Sequence, residues 1–86
     1  MELSRLTVDT VPQLWQERAR YFALPAAKLG ALKAVDSAGV AFLVRWAKNL
    51  KGERLILHQA PAQLVALLEI YRVKGLFKFA EDAGGL

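Results

Sequence analysis

The chain has 86 residues and a formal charge of +4, with 55% hydrophobic and 23% charged residues. That length allows one domain with one modest core, and the composition is globular rather than disordered. The absence of cysteine excludes disulfides, thiolate chemistry and any cysteine-built metal site.

The twelve Lys and Arg residues are scattered without a cluster, so the positive charge reads as ordinary solvation and no nucleic-acid partner is expected. The opening residues Met1-Glu2-Leu3-Ser4-Arg5 do not form a signal peptide. The longest apolar run, Gly39 to Val44, is far too short to cross a bilayer. A cytoplasmic, non-inserted domain is therefore expected. In so small a fold, some of the apolar excess remains exposed and marks a contact surface.

Residues 2–6 read as a short strand. Thr10 is a helix N-cap, and Pro12 is tolerated in the first turn, where its missing N–H has no helical partner. Val11, Leu14, Trp15, Ala19 and Phe22 recur at helical spacing and predict one continuous helix ending by Pro25. Residues 28–32 are expected to be a strand, chiefly because of the turn and cap cluster Asp36-Ser37-Ala38-Gly39 that follows. Behind that cluster, Val40, Leu43, Val44, Ala47 and Leu50 form the clearest helical stripe in the chain. Lys48 and Lys51 oppose the negative end of its dipole, and Gly52 is its expected C-terminal cap.

Residues 54–58 read as a short buried strand. Pro61 opens a third helix with Leu64, Leu67, Leu68 and Tyr71 as its inner stripe and Gly75 as its stop. Leu76-Phe77-Lys78-Phe79 alternates as a last strand, and residues 80–86 are an expected loose tail. Strands alternating with helices imply an α/β sheet with substantial parallel pairing.

Catalytic groups are hard to find. The single histidine, His58, has no carboxylate placed beside it by spacing, and neither a phosphate-binding glycine loop nor a nucleophile elbow is present. No catalytic residue, metal site or cofactor is expected.

The densest feature is Val35-Asp36-Ser37-Ala38-Gly39-Val40. Asp36 or Ser37 can cap the helix, an anion at Ser37 would meet free N–H groups and the positive dipole end, and Gly39 allows close approach of another backbone. If the Val40 stripe faces the core, Phe42, Arg45, Trp46 and Asn49 point away from it. An outward Trp and Arg are the residue types that dominate interface energetics.

Asp36-Ser37-Ala38-Gly39 followed by an apolar helix resembles the signature loop of STAS domains. That family includes anti-sigma-factor antagonists and the small STAS subunit of bacterial Mla phospholipid-transport ABC systems. Gly75-Leu76-Phe77-Lys78 resembles the late segment of many STAS domains. Val11 to Arg18, with its Leu14-Trp15 pair, and Arg45-Trp46 tilt the resemblance toward the Mla subunit. The resemblance implies a single STAS domain over residues 1–86, with a mixed sheet, helices packed on it and the usual first strand missing. The sheet edge left open would be covered by a partner, by a second copy, or by residues upstream of Met1.

For function, the resemblance implies docking through the loop and the helix after it. Ser37 would stand at the partner contact, with Asp36, Ala38 and Gly39 shaping the loop. Phe42, Arg45 and Trp46, from the reading of the helix faces, extend the surface. The implied partner is the cytoplasmic ATPase of the inner-membrane transporter, in a system that maintains outer-membrane lipid asymmetry. In the sigma-regulator branch the partner would be a kinase-like anti-sigma factor that phosphorylates Ser37.

Overall fold

The structure, a computed structural model, describes residues 3–80. Strand β1 (Arg5–Leu6) leads into two short helices, α1 (Val11–Gln16) and α2 (Arg18–Phe22). Strands β2 (Ala26–Lys28) and β3 (Ala34–Val35) follow, then the long helix α3 (Ser37–Asn49). Strand β4 (Leu55–His58), helix α4 (Ala62–Ile70), a 3₁₀ turn (Lys74–Leu76) and strand β5 (Phe77–Phe79) complete the order. This is the α/β alternation of strands and helices that the sequence implied.

Where a mixed sheet was expected, all ladders among the described residues are parallel. β1 pairs with β3, and β4 lies between β2 and β5. The cause is connectivity: helices separate β3 from β4 and β4 from β5, so each strand re-enters from the same end.

The strand expected at 28–32 divides. Residues 26–28 pair with β4 and residues 34–35 pair with β1, while Leu32 N–H donates to the Leu29 carbonyl in a turn between them. Leu29 N–H to His58 O and Lys33 N–H to Ser4 O carry the pairing up to that turn from both sides. The segment thus joins the two ladders. Glu2, the first residue of the expected opening strand, lies outside the described residues.

The expected first helix is broken at Glu17, whose backbone (φ −101°, ψ 17°) leaves the helical region before Arg20 N–H bonds to Glu17 O and winding resumes. The break redirects the second half. Tyr21 is buried, and Ala19, expected on the inner face, is exposed. Thr10 occupies the N-cap position without capping. Its hydroxyl accepts the Thr7 N–H at 3.0 Å and donates to the Arg5 carbonyl at 3.1 Å, closing the turn after β1.

Helix α3 ends at Asn49. Gly52, at φ 78°, occupies the third position of the turn closed by Glu53 N–H to Leu50 O, where a side chain would be strained. Helix α4 is stopped earlier than Gly75. Arg72 adopts φ 59°, with Arg72 N–H bonded to Glu69 O and Val73 N–H to Leu68 O. That pair of bonds is a Schellman termination, with an arginine in the left-handed position. Ala80, expected to be loose, donates its N–H to Leu57 O at 3.0 Å and extends the last ladder. The rest of the expected tail lies outside the described residues.

The core is built on α3. Leu6, Leu43, Leu55, Leu57, Leu64 and Leu68 are fully buried, each contributing about 1.5–3 kcal/mol of transfer free energy. Beside them Tyr21, Phe22, Phe42 and Trp46 form an aromatic cluster with ring centroids 5.5–6.3 Å apart.

Candidate functional site

Asp36 organises the loop. It is the N-cap of α3, and its Oδ1 accepts the Gly39 N–H at 3.1 Å. Its Oδ2 accepts the Val8 N–H at 2.9 Å, from the turn after β1. One carboxylate therefore ties two turns at the same end of the fold. Val8, 69% exposed, is held beside the Ser37 loop.

Gly39 explains why the first turn of α3 can sit where it does. A Cβ there would lie 2.1 Å from the Leu6 carbonyl oxygen and 2.6 Å from Leu6 Cβ. The helix packs directly on the backbone of β1, and only glycine leaves room. The close approach expected of Gly39 is thus met by β1. Ala38 is half-buried next to it, and Ser37, the first helical residue, is exposed.

The same turn carries one perturbed group. The Asp9 carboxyl is held below the usual carboxylate range, first by a hydrogen bond from the Thr7 hydroxyl, then by its own backbone N–H, with Arg5 adding a weaker attraction at 3.5 Å.

The outward face of α3 differs from expectation. Phe42 and Trp46 do not point to solvent: they are 2% and 1% exposed. Trp46 Nε1 donates to the Leu24 carbonyl at 2.9 Å, and both rings pack on Tyr21 and Phe22. The reason is that α1 and α2 cover a second side of α3, so its buried arc spans Gly39, Val40, Phe42, Leu43, Trp46 and Ala47. Asn49 is exposed, but its amide donates to the Phe22 carbonyl at 3.2 Å. What remains open on α3 is a narrow stripe, Ser37, Ala41, Arg45 and Lys48, at successive i+4, i+4 and i+3 steps. Of the three helix residues expected at a partner surface, Arg45 alone is exposed.

Beside that stripe runs an open groove of about 280 Å³, lined by Ser37, Val40, Ala41, Val44 and Arg45 of α3 and by Tyr71 at the end of α4. Tyr71, expected on the inner stripe of its helix, is 48% exposed, and the adjacent Ile70 is 69% exposed. On the other side of Arg45 lies Trp15, half-buried on α1. The Arg45 guanidinium lies 5.7 Å from its ring centroid and the Arg18 guanidinium 4.4 Å.

Ala41, Tyr71 and Val8 were not legible as surface residues. Only Val8 carried a signal, being an apolar residue inside the polar turn Thr7-Val8-Asp9-Thr10. Among the described residues no group of three or more His, Asp or Glu side chains could hold a metal. No helix there is long and apolar enough to cross a membrane.

A family model described as "Mlab, STAS domain" matches residues 3–78. No curated protein and no solved structure gives a significant match. The match spans the whole alternating core, from the residues before β1 into β5.

Proposed function

Since this chain belongs to the STAS domain family, we propose that it is a cytoplasmic docking subunit that binds the ATPase of an Mla-type phospholipid-transport ABC transporter. In that role it supports assembly and ATP turnover of the inner-membrane complex and, through it, outer-membrane lipid asymmetry. It contributes a surface rather than chemistry. The observation that carries the reading is the Mlab description of the family model together with the exposed stripe that begins at Ser37.

The stripe has the right character for docking. It combines a serine, a small apolar residue and an arginine beside an exposed tyrosine, on a helix whose opposite faces are locked into the core. Tyr and Arg are the residues that most often anchor interfaces, and a rigid scaffold lowers the entropy lost on binding.

The test is co-expression with the ATPase of the same transporter, followed by size-exclusion chromatography and an ATPase assay. Wild type co-elutes and raises turnover. Ser37→Glu places a charge at the start of the exposed stripe and separates the two proteins. If Ser37→Glu co-elutes like wild type, the interface lies elsewhere.

Ser37 is exposed on the first helical turn, where a kinase can reach it. That favours one second reading, an anti-sigma-factor antagonist released by phosphorylation of Ser37, which adds about −1.5 to −2 charges. Clean separation of wild type from the ATPase, with phosphate incorporated at Ser37 by an anti-sigma kinase, would select it.

A further inference from the structure

We infer that the groove between α3 and Tyr71 receives an amphipathic helix of the partner that presents a carboxylate to Arg45. The inference rests on the docking reading above for which protein supplies the helix, but not for the chemistry of the groove.

Size and shape come first. The groove, about 280 Å³, is open to solvent rather than enclosed, unlike the clefts that bury most of a small molecule's surface. It suits side chains that arrive on another element. Its α3 wall runs from Ser37 to Arg45, eight residue steps or about 12 Å of helix. That matches two turns of a second helix, whose apolar residues at i, i+4 and i+7 can drop into the space between α3 and Tyr71. An added strand has nothing to pair with here, because the backbone hydrogen bonds of α3 are internal.

Charge selects the occupant. Among the described residues, Arg45 is the only charged one lining the groove. Helix α3 contains no acidic residue, and the one acid of α4, Glu69, is bound to Lys74 at 2.9 Å. Among the described residues Arg45 has no carboxylate partner, and its guanidinium is steered only by the Trp15 ring. A carboxylate supplied from outside completes it. A second copy of the chain fits poorly. A two-fold contact through this groove brings Arg45 toward its own equivalent, on molecules that each carry +4.

The experiment measures binding of the intact chain to the ATPase by calorimetry at low and high salt, with circular dichroism to confirm that each variant is folded. Arg45→Gln is expected to weaken binding about fivefold at low salt and to flatten the salt dependence. Tyr71→Ala is expected to weaken it about tenfold and to leave the salt dependence intact. If Arg45→Gln keeps the wild-type affinity and salt slope, the carboxylate contact is overturned while docking to the ATPase stands.

A second arm does not need the ATPase. An alanine-based helical peptide with leucines at i, i+4 and i+7 and a flanking glutamate is titrated into the labelled chain, beside the same peptide with lysine in place of the glutamate. Amide shifts at Ala41, Val44 and Arg45 with the glutamate peptide, and their loss with the lysine peptide, support the groove chemistry even if the ATPase does not bind. Shifts elsewhere, no shifts, or equal shifts with both peptides overturn it.

Discussion

The Asp36 carboxylate accepts the Val8 N–H at 2.9 Å across 28 positions of sequence, and the same carboxylate caps α3 through the Gly39 N–H. A residue read from sequence as a shaper of its own loop therefore also holds the neighbouring turn. This end of the fold depends on one side chain for the relative placement of Val8 and Ser37.

Asp36→Ala removes both bonds and is expected to cost about 2 kcal/mol, about 1 for the cap and the rest for the charged bond to Val8. Asp36→Ser keeps a capping oxygen but is too short to reach Val8, and should cost about half as much. Urea denaturation of the two variants separates the contributions. Equal losses would mean that the cross-turn bond adds nothing.

Gly39→Ala tests the contact between α3 and β1. The added methyl meets backbone atoms of Leu6, which cannot rotate away. Overpacking of this kind is expected to cost about 2–3 kcal/mol. Glycine is a poor helix former, so an unobstructed site would gain about 1 kcal/mol from the same change. The sign of the measured stability change decides between crowding and open space.

Trp46→Ala is expected to destabilise the fold by about 3–5 kcal/mol, because the indole is buried and its N–H is bonded to Leu24 O. Lost docking in that variant would accompany a lowered thermal midpoint. Ala41→Asp, on the exposed stripe, should leave the midpoint within the range of ordinary surface changes while weakening docking. A Trp46→Ala protein that melts like wild type would return this residue to the surface.

Arg72→Gly is expected to stabilise the chain by about 0.5–1 kcal/mol. Arginine at φ 59° carries the left-handed penalty that glycine avoids. Arg72→Ala keeps the penalty and should gain nothing. Thermal melts of the two variants read the difference directly.

Asp9 gives the fold a specific acid sensitivity. Its folded pKa lies below the ordinary value, so its contribution is complete above the unfolded pKa near 3.8 and is lost as pH falls through the depressed folded value. Asp9→Asn should be less stable than wild type at neutral pH, and the gap should close as pH falls through that window. A gap that stays constant with pH would remove Asp9 from the acid limb.

The local features were legible because they follow from short-range chemistry. Val40, Leu43 and Ala47 face the core as their spacing implied, Asp36 caps α3, and Gly39 admits a close neighbour. The strand and helix alternation, with Asp36-Ser37-Ala38-Gly39 capping and opening α3 directly after β3, was enough to indicate the family.

What periodicity could not supply was how many neighbours each helix has. A stripe at i, i+3 and i+4 identifies one buried face, but α3 is covered on two, so Phe42 and Trp46 went inside and the open surface shrank to the line from Ser37 to Lys48. Tyr71 moved the other way. Its helix terminates one residue before it, and the turn at Arg72 leaves its ring at the rim of the groove rather than beneath it. Residue order determined which side chains are apolar and where the chain turns. Only the packing of α1, α2 and α4 around α3 decided which of those side chains are left exposed, because burial is a property of the neighbours and not of the residue alone.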